Sequence, residues 1–396
     1  MKKQKAAPYR IWGENLDAEA IRQMDAACSL PIFVKGALMP DAHMGYGLPI
    51  GGVLAVEGAV IPYAVGVDIA CRVKMTVLDI PYTEFEKKTE RFQTAIETRT
   101  RFGVGQTFTR PENHPVMDED WAFCKKTASL KDKAWKQLGT SGSGNHFAEF
   151  GHLAIEKNDL GLEKGGYLAL LTHSGSRGAG AEIAGHYSAL ARKRHPKLPA
   201  DLKNLAWLDL KSAEGCEYWR AMELMGRYSA ANHDMIHRSV LNHLGAAGIL
   251  SIENHHNFAW KSRIGSKEVI VHRKGATPAG KGVLGVIPGS MASPAFIVRG
   301  MGNGASLWSA AHGAGRKMSR NAALKKFKWP EIMAVLEQKG VILVSAGIDE
   351  APMAYKCIED VMAQQKDLVE IIAQFDPKLV KMAPSGRQGK KRGHLV

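Results

Sequence analysis

Glycine sets the first limit on what this chain can become. Its 41 glycines gather around residues 44–66, 139–144, 175–180, 275–289 and 300–315. At such places the backbone can turn sharply or let a ligand approach closely. The stretches between them are short and ordinary. Residues 49–60 (PIGGVLAVEGAV), 73–80 (VKMTVLDI), 167–172, 268–271 and 341–345 read as buried strands. Residues 216–243 hold one glycine and no proline, and carry Trp219, Met222, Met225 and Tyr228 at intervals of three. They read as a helix, as do residues 353–374, which place Ile358, Val361, Met362, Leu368, Val369 and Ile372 along one face. Both stripes are assigned to core packing. Strands and helices alternate irregularly, without internal repeat or long linker. The expected class is therefore α/β or α+β with mixed sheets.

Composition narrows the function classes. Hydrophobic residues make up 45% and charged residues 23%, a globular balance that excludes disordered, collagen-like and coiled-coil chains. The net charge of +14, from 53 Lys+Arg against 39 Asp+Glu, favours an anionic partner, nucleic acid or a phosphorylated ligand. No run of 18 apolar residues occurs, so no membrane span is expected. The opening MKKQKAAPYRIWGENLD is basic but lacks the apolar core of a secretory signal. Cys28, Cys71, Cys124, Cys216 and Cys357 are odd in number, widely spaced and never in a CxxC pair. That pattern argues for the reducing cytoplasm and against a disulfide framework or zinc ribbon. The segment ARKRHPKLPADLK, within 181–215, reads as an exposed basic excursion, a solvated helix end at least as readily as a specific RNA contact.

The chemistry concentrates in the glycine-rich turns. His146 sits in GTSGSGNHF, His173 in THSGSRG, His256 in NHHN and His312 in AAHGAGR. Asp68 and Cys71, in AVGVDIACR, converge on one ion if the backbone turns between them. Thiolate, carboxylate and imidazoles together suit Mn²⁺, Zn²⁺ or Fe²⁺, and not an all-oxygen Ca²⁺ cage. Any one of these histidines alone is more often a hydrogen-bonded structural residue. Their joint occurrence beside small residues argues for a site. GTSGSGN and SGSRG can form anion nests of backbone N–H groups. Arg177 and the Arg273–Lys274 pair add cationic donors for phosphate. Neither GxxxxGK[ST] nor a strand-linked GxGxxG is present, so a nucleotide would bind by neither a P-loop nor a Rossmann turn. Most of 275–287 reads as tight loop.

Together these motifs resemble the RtcB-type RNA ligases. The matching stretches are MPDAHMGYGLPIGG (39–52), AVGVDIACR (64–72), LGTSGSGNHFAEF (138–150), THSGSRGAG (172–180) and HHN (255–257). They continue with HRKGATPA (272–279), VIPGSMASPAFIVRGMGN (286–303), AAHGAGRKMSR (310–320) and DEAPMAYK (349–356). The resemblance implies one compact domain over 1–383 with a deep metal-containing cleft, followed by a basic tail, 384–396. It implies two Mn²⁺ ions held by Asp68, Cys71, His146, His173 and His256, with Cys71 bridging. It implies that His312 accepts GMP from GTP, and that Asp41 orients His312. The guanylate site would use Asn145, Glu149, Asn257, Ser290, Gly313, Gly315, Arg316, Tyr355 and Lys381, while Arg177 would take an RNA terminal phosphate. The implied reaction joins RNA ends bearing a 2′,3′-cyclic phosphate or 3′-phosphate to 5′-hydroxyl ends, in tRNA splicing or RNA repair. Implied partners are that RNA and an archease-like activator; a monomer in the cytoplasm is expected, with no membrane.

Some positions depart from the family pattern. LWSAAHGAGR replaces a Cys- and Ser-containing approach to the nucleophile, Ala295 replaces a serine, and Asn232–His233 replaces an Asn-Arg pair. Thirteen residues also follow Ala383 instead of a terminal Lys-Gly. These departures point to a divergent branch. A metal-dependent phosphoesterase or nuclease acting on RNA ends is the alternative, and an RNA-binding protein with a decayed site is a third reading. The intact His312 favours the ligase, since a hydrolase needs only a bound water.

Overall fold

Alternation along the strands builds two large sheets, each covered on both faces, beside two short two-stranded ones. In the computed structural model, which describes residues 9–384, the first sheet runs Tyr9–Ile11, Phe33–Tyr46, Leu48–Val56, Lys267–Lys274, Asn257–Ile264. Its first pair is parallel and the rest antiparallel. Successive residues face opposite sides. Leu54 and Val56 join the helices on one side, whereas Val53 and Ala55 pack with Val269, Val271 and Ile358 on the other.

The second sheet runs Leu284–Pro288, Ala295–Gly300, Val369–Met382, Phe147–Ile155, Gly165–Ser174, Arg72–Leu78, Gly248–His255, with Ile342–Ser345 added in parallel beside Val369–Met382. Val73, Met75, Leu153, Leu171, Ile252, Ile297 and Phe375 fill its concave face. The sheet curls until its edges approach, giving a nearly closed barrel. Asn254 on one edge accepts from Val286 N (2.7 Å) and donates to Val286 O (3.3 Å) on the other. Phe150, Leu168, Leu170 and Leu379 on the convex face are covered by the Thr89–Arg99 helix and the end of Ala213–Leu244.

Most of the expected elements are present. The strands occupy Leu48–Val56, Arg72–Leu78, Gly165–Ser174, Lys267–Lys274 and Ile342–Ser345. The long helix is Ala213–Leu244, capped by the Ser212 hydroxyl on Gly215 N and ended by Gly245 in the left-handed region (φ 60). The helix expected over 353–374 is corrected. Only Ile358–Ala363 is α-helical, and the chain then becomes the strand Val369–Met382. Its apolar spacing fits either period over so short a run. The barrel decides the outcome, because this strand pairs antiparallel with Ala295–Gly300 on one side and Phe147–Ile155 on the other. The basic excursion begins as a helix end: Arg192, Lys193 and Arg194 form the last turn of Arg177–Arg194. Beyond it, His195 packs on Trp207 and bonds its carbonyl at 3.0 Å.

The basic tail expected over 384–396 lies, from residue 385 on, outside the described residues, as do residues 1–8. All five cysteines are free. Among the described residues no helix is long and apolar enough to cross a membrane.

Candidate active site

The rim of the curled sheet and the loops between the two sheets enclose a cavity of about 360 Å³. The chain turns between Asp68 and Cys71, where Gly66 (φ 100) and Ala70 (φ 56) take positive φ. Cys71 N donates to Asp68 O (3.1 Å) and Ala70 N to Asn257 O (2.7 Å), so carboxylate and thiol face one point. His173, near the end of its strand, and His146, at the end of the glycine-rich loop, bring imidazoles to the same point. Cys71 Sγ lies 3.1 Å from His173 Nε2 and 3.5 Å from His146 Nε2. Asp68 Oδ2 lies 3.0 Å from His146 Nε2, and His256 Nε2 lies 3.3 Å from His173 Nε2. The ligand atoms of Cys71, His146 and His173 all lie within 4.8 Å of one another.

Ring hydrogen bonds show what this cluster lacks. His146 Nδ1 meets Ser141 O at 2.7 Å and His173 Nδ1 meets Asn145 O at 2.9 Å. Carbonyls only accept, so the protons belong on the Nδ1 atoms, and both Nε2 lone pairs point inward. His146 Nε2 faces the Asp68 carboxylate at 3.0 Å and His173 Nε2 faces the Cys71 sulfur at 3.1 Å, an inward-facing donor set that suits a cation. His256 Nδ1 is buried without a hydrogen bond. The donor set is borderline-soft and fits a Mn²⁺, Zn²⁺ or Fe²⁺ class of ion. The electrostatics agree. Burial pushes Asp68 up, but the His146 bond and the Arg177 charge outweigh it and hold its pKa at about 2. Burial and neighbouring His146 depress His173 to about 3, so it is neutral and ready to ligate. Burial and Asp68 push the Cys71 thiol well up, and a bound cation reverses that.

His312 stands beside this cluster, its ring 4.9 Å from that of His256. Asp41, fully buried, takes both His312 N (3.1 Å) and His312 Nδ1 (2.6 Å) on Oδ2. The carboxylate therefore fixes the Nδ1–H tautomer and leaves the Nε2 lone pair free. Gly315 (φ 72) lets the loop after His312 pass against the Asp41 carbonyl, where a Cβ would overlap it.

The other expected residues are distributed unequally. Asn145, Glu149, Asn257, Ser290, Gly313, Gly315, Arg316 and Tyr355 line the cavity. Glu149 is buried, and burial alone pushes its carboxyl well above the usual range. Asn257 spends its amide on backbone, donating to Asp68 O (3.2 Å) and accepting from Gly275 N (2.8 Å). Ser290 shares a hydroxyl bond with Ser293 at 2.9 Å. Arg177, in the left-handed region (φ 55), lies over Gly142, where any side chain would overlap its guanidinium, and reaches toward Thr140 and His146. Lys381 is the exception and is corrected. Val380 and Met382 line the cavity, so alternation turns Lys381 the other way. Its Nζ donates to Ile96 O, Glu97 O and Thr100 O at 3.0–3.2 Å, at the end of the Thr89–Arg99 helix.

The sequence reading missed Arg320 and Glu350. Both line the cavity, and Glu350 takes Arg316, Arg320 and Tyr355 together. Both lie inside motifs that were recognised, AAHGAGRKMSR and DEAPMAYK; only tertiary contact singles them out. His43, near the motifs in sequence, lines the cavity with its pKa lowered by burial to about 4. His255 and His272 are packing residues. His255 stacks on Trp260, and His272 Nε2 accepts from Ile61 N at 2.9 Å.

Comparison with known proteins agrees with this geometry. The family profile described as tRNA-splicing ligase RtcB matches residues 23–382. The chain is 35% identical to the RNA-splicing ligase RtcB of Escherichia coli (strain K12), over 92% of this chain and 95% of that protein. It is 29% identical to the tRNA-splicing ligase RtcB of Methanococcus maripaludis, covering 94% and 92%. It is 27% identical to that of Thermococcus kodakarensis, covering 95% and 94%.

Proposed function

Because this chain belongs to the RtcB family of tRNA-splicing ligases, we propose that it joins RNA ends bearing a 2′,3′-cyclic phosphate or 3′-phosphate to 5′-hydroxyl ends through a histidine–GMP intermediate. It is an RNA-ligating enzyme that uses metal; Mn²⁺ as the ion, two ions as the number and GTP as the nucleotide are parts of the proposal. The observation that carries the chemistry is the His312–Asp41 pair beside the Cys71 cluster.

His312 Nε2 attacks the α-phosphorus of GTP. A P–N bond forms, the bond to the bridging oxygen breaks, and pyrophosphate leaves. Asp41 holds the Nδ1 proton and stabilises the ring as it gains positive charge. GMP then passes to the RNA 3′-phosphate, restoring the neutral ring. The 5′-hydroxyl attacks that phosphorus and GMP leaves. A cyclic phosphate is first opened by hydrolysis. Cations held by Asp68, Cys71, His146, His173 and His256 supply charge neutralisation for the phosphates. Buried Glu149, its carboxyl pushed up by burial, and Tyr355 face the nucleotide, with Asn145, Ser290 and Arg316 around it. Arg177 takes the terminal phosphate. A monomer in the reducing cytoplasm, served by an archease-like activator, completes the reading; the free cysteines support the compartment.

The test is protein guanylylation. The protein is incubated with α-labelled GTP and Mn²⁺, beside His312→Ala. Acid-labile label on the wild type and none on the variant is the expected result. No label with GTP or ATP, in protein shown to hold metal, overturns the reading in favour of a metal-dependent phosphoesterase.

A further inference from the structure

The Asp41–His312 contact joins two segments far apart in sequence, and something must hold them in register. Asp41 offers little purchase of its own. Its Oδ2 takes both bonds from His312, while its Oδ1 is buried without a hydrogen-bond partner among the described residues. A buried carboxylate so arranged needs a nearby positive charge and a fixed backbone. When His312 is neutral, as a nucleophile must be, it does not supply that charge.

Lys356 meets both needs. Its ammonium donates to Pro40 O (3.0 Å) and Ala42 O (2.8 Å), the carbonyls on either side of Asp41, and attracts the Asp41 carboxylate. Its backbone N donates to Gly315 O (3.0 Å), and Lys317 N donates to Ala354 O (2.8 Å). The segment carrying Lys356 is therefore bridged to the loop that follows His312, with Arg316 opposite Tyr355. One residue thus ties the nucleophile loop by its main chain and the carboxylate strand by its side chain. It does so from a second cavity of about 600 Å³, lined by Asp17, Lys317 and Gln364 and by none of the residues of the metal cluster. The side chain touches neither the metal ligands nor the nucleotide pocket.

We infer that Lys356 is a positioning residue for the nucleophile: it locks Asp41 against His312 and sets the rate of histidine guanylylation without contributing to nucleotide binding. The inference rests on the reading of His312 as the GMP acceptor. The test is single-turnover guanylylation over a range of GTP concentrations, with Lys356→Met, Lys356→Arg and Lys356→Ala beside the wild type. Lys356→Met keeps the stem and loses the charge. It is expected to label about 10–100-fold more slowly, the usual cost of losing a supporting partner. Half-saturating GTP should stay within about twofold. Lys356→Arg is expected to recover part of the rate. Lys356→Ala is expected to regain rate, saturably, with added propylammonium, which enters from the second cavity, and not with tetramethylammonium at equal ionic strength.

A Lys356→Met protein that melts like the wild type and labels at its rate overturns the inference. So does a rate loss matched by lost GTP affinity, or one that neither Arg nor propylammonium restores. If the wild type itself takes no label, the ligase reading fails instead, so the two failures are distinguishable.

Discussion

Cys71 points its sulfur at two imidazoles that could share a cation with it. Its sulfur lies 3.1 Å from His173 Nε2 and 3.5 Å from His146 Nε2, and burial pushes the thiol up. Cys71→Ser keeps nearly the same volume but replaces a soft, ionisable ligand with a hard neutral one. It is expected to lower metal affinity by at least about 10-fold, read as metal retained after dialysis; undiminished retention would remove Cys71 from the ligand set. His272 makes a different prediction, at a site away from the cluster. Burial lowers its pKa from 6.5 to about 4, so the folded chain refuses a proton that the unfolded chain accepts. The stability it contributes is whole above about pH 6.5 and is lost as pH falls toward about 4, by up to about 3 kcal/mol. Urea unfolding between pH 7 and pH 4.5 should show that decline together with those of the other buried histidines, and His272→Gln should make it shallower. Lys381 tests the correction made above. Its ammonium sits on the last carbonyls of the Thr89–Arg99 helix, so Lys381→Ala should cost about 1 kcal/mol of stability and leave nucleotide affinity unchanged. The histidines and Asp68–Cys71 stand out in sequence because their glycine-rich surroundings permit close approach. The orientation of Lys381 depends on strand parity, and the strand's opening residues, 369–374, read as the end of a helix.

At the scale of elements, the long helix Ala213–Leu244 does more than fill the core. Asn232 is fully buried within it and grips both ligand-bearing segments. Its Oδ1 accepts from Gly139 N (2.8 Å), and its Nδ2 donates to Thr140 O (3.0 Å) and Ser174 Oγ (3.1 Å). Ser141 O, in the same loop, fixes the ring of His146. Asn232→Ala strands these groups at about 1–3 kcal/mol each if no water replaces the amide. It should also weaken metal binding by about 10-fold; a variant of lower melting temperature but unchanged metal affinity would limit Asn232 to stability. The helix was legible from its unbroken period over 216–243. The strand Val369–Met382 was not, because its short apolar run fits both periods and only its two neighbours choose between them.

For the whole molecule, the charge of +14 makes RNA binding a counterion-release problem. Affinity for a ligatable RNA should fall linearly in log–log terms with salt, by a slope of about −0.7 per phosphate engaged on a single strand. Filter binding between 50 and 200 mM salt, about the range in which such losses are large, measures it, and a flat line would assign the charge another use. The curled barrel and the five-stranded sheet set the distances at which these charges and ligands act. Residues 68, 71, 146, 173, 256 and 312 come from loops and strand ends separated by up to 244 positions, from Asp68 to His312. Sequence alone determined the mixed α/β class, most strands and the long helix, because those follow from local periodicity, and its motifs singled out the histidines, Asp68 and Cys71 that the fold brings to one cavity. The tertiary structure alone decided that 369–382 is a strand, that Lys381 faces a helix end, that Arg320 and Glu350 line the cavity, that Asn232 bonds Gly139, Thr140 and Ser174, and that Lys356 bonds the carbonyls on either side of Asp41. Each of those depends on which distant backbone lies alongside, and no local pattern encodes that.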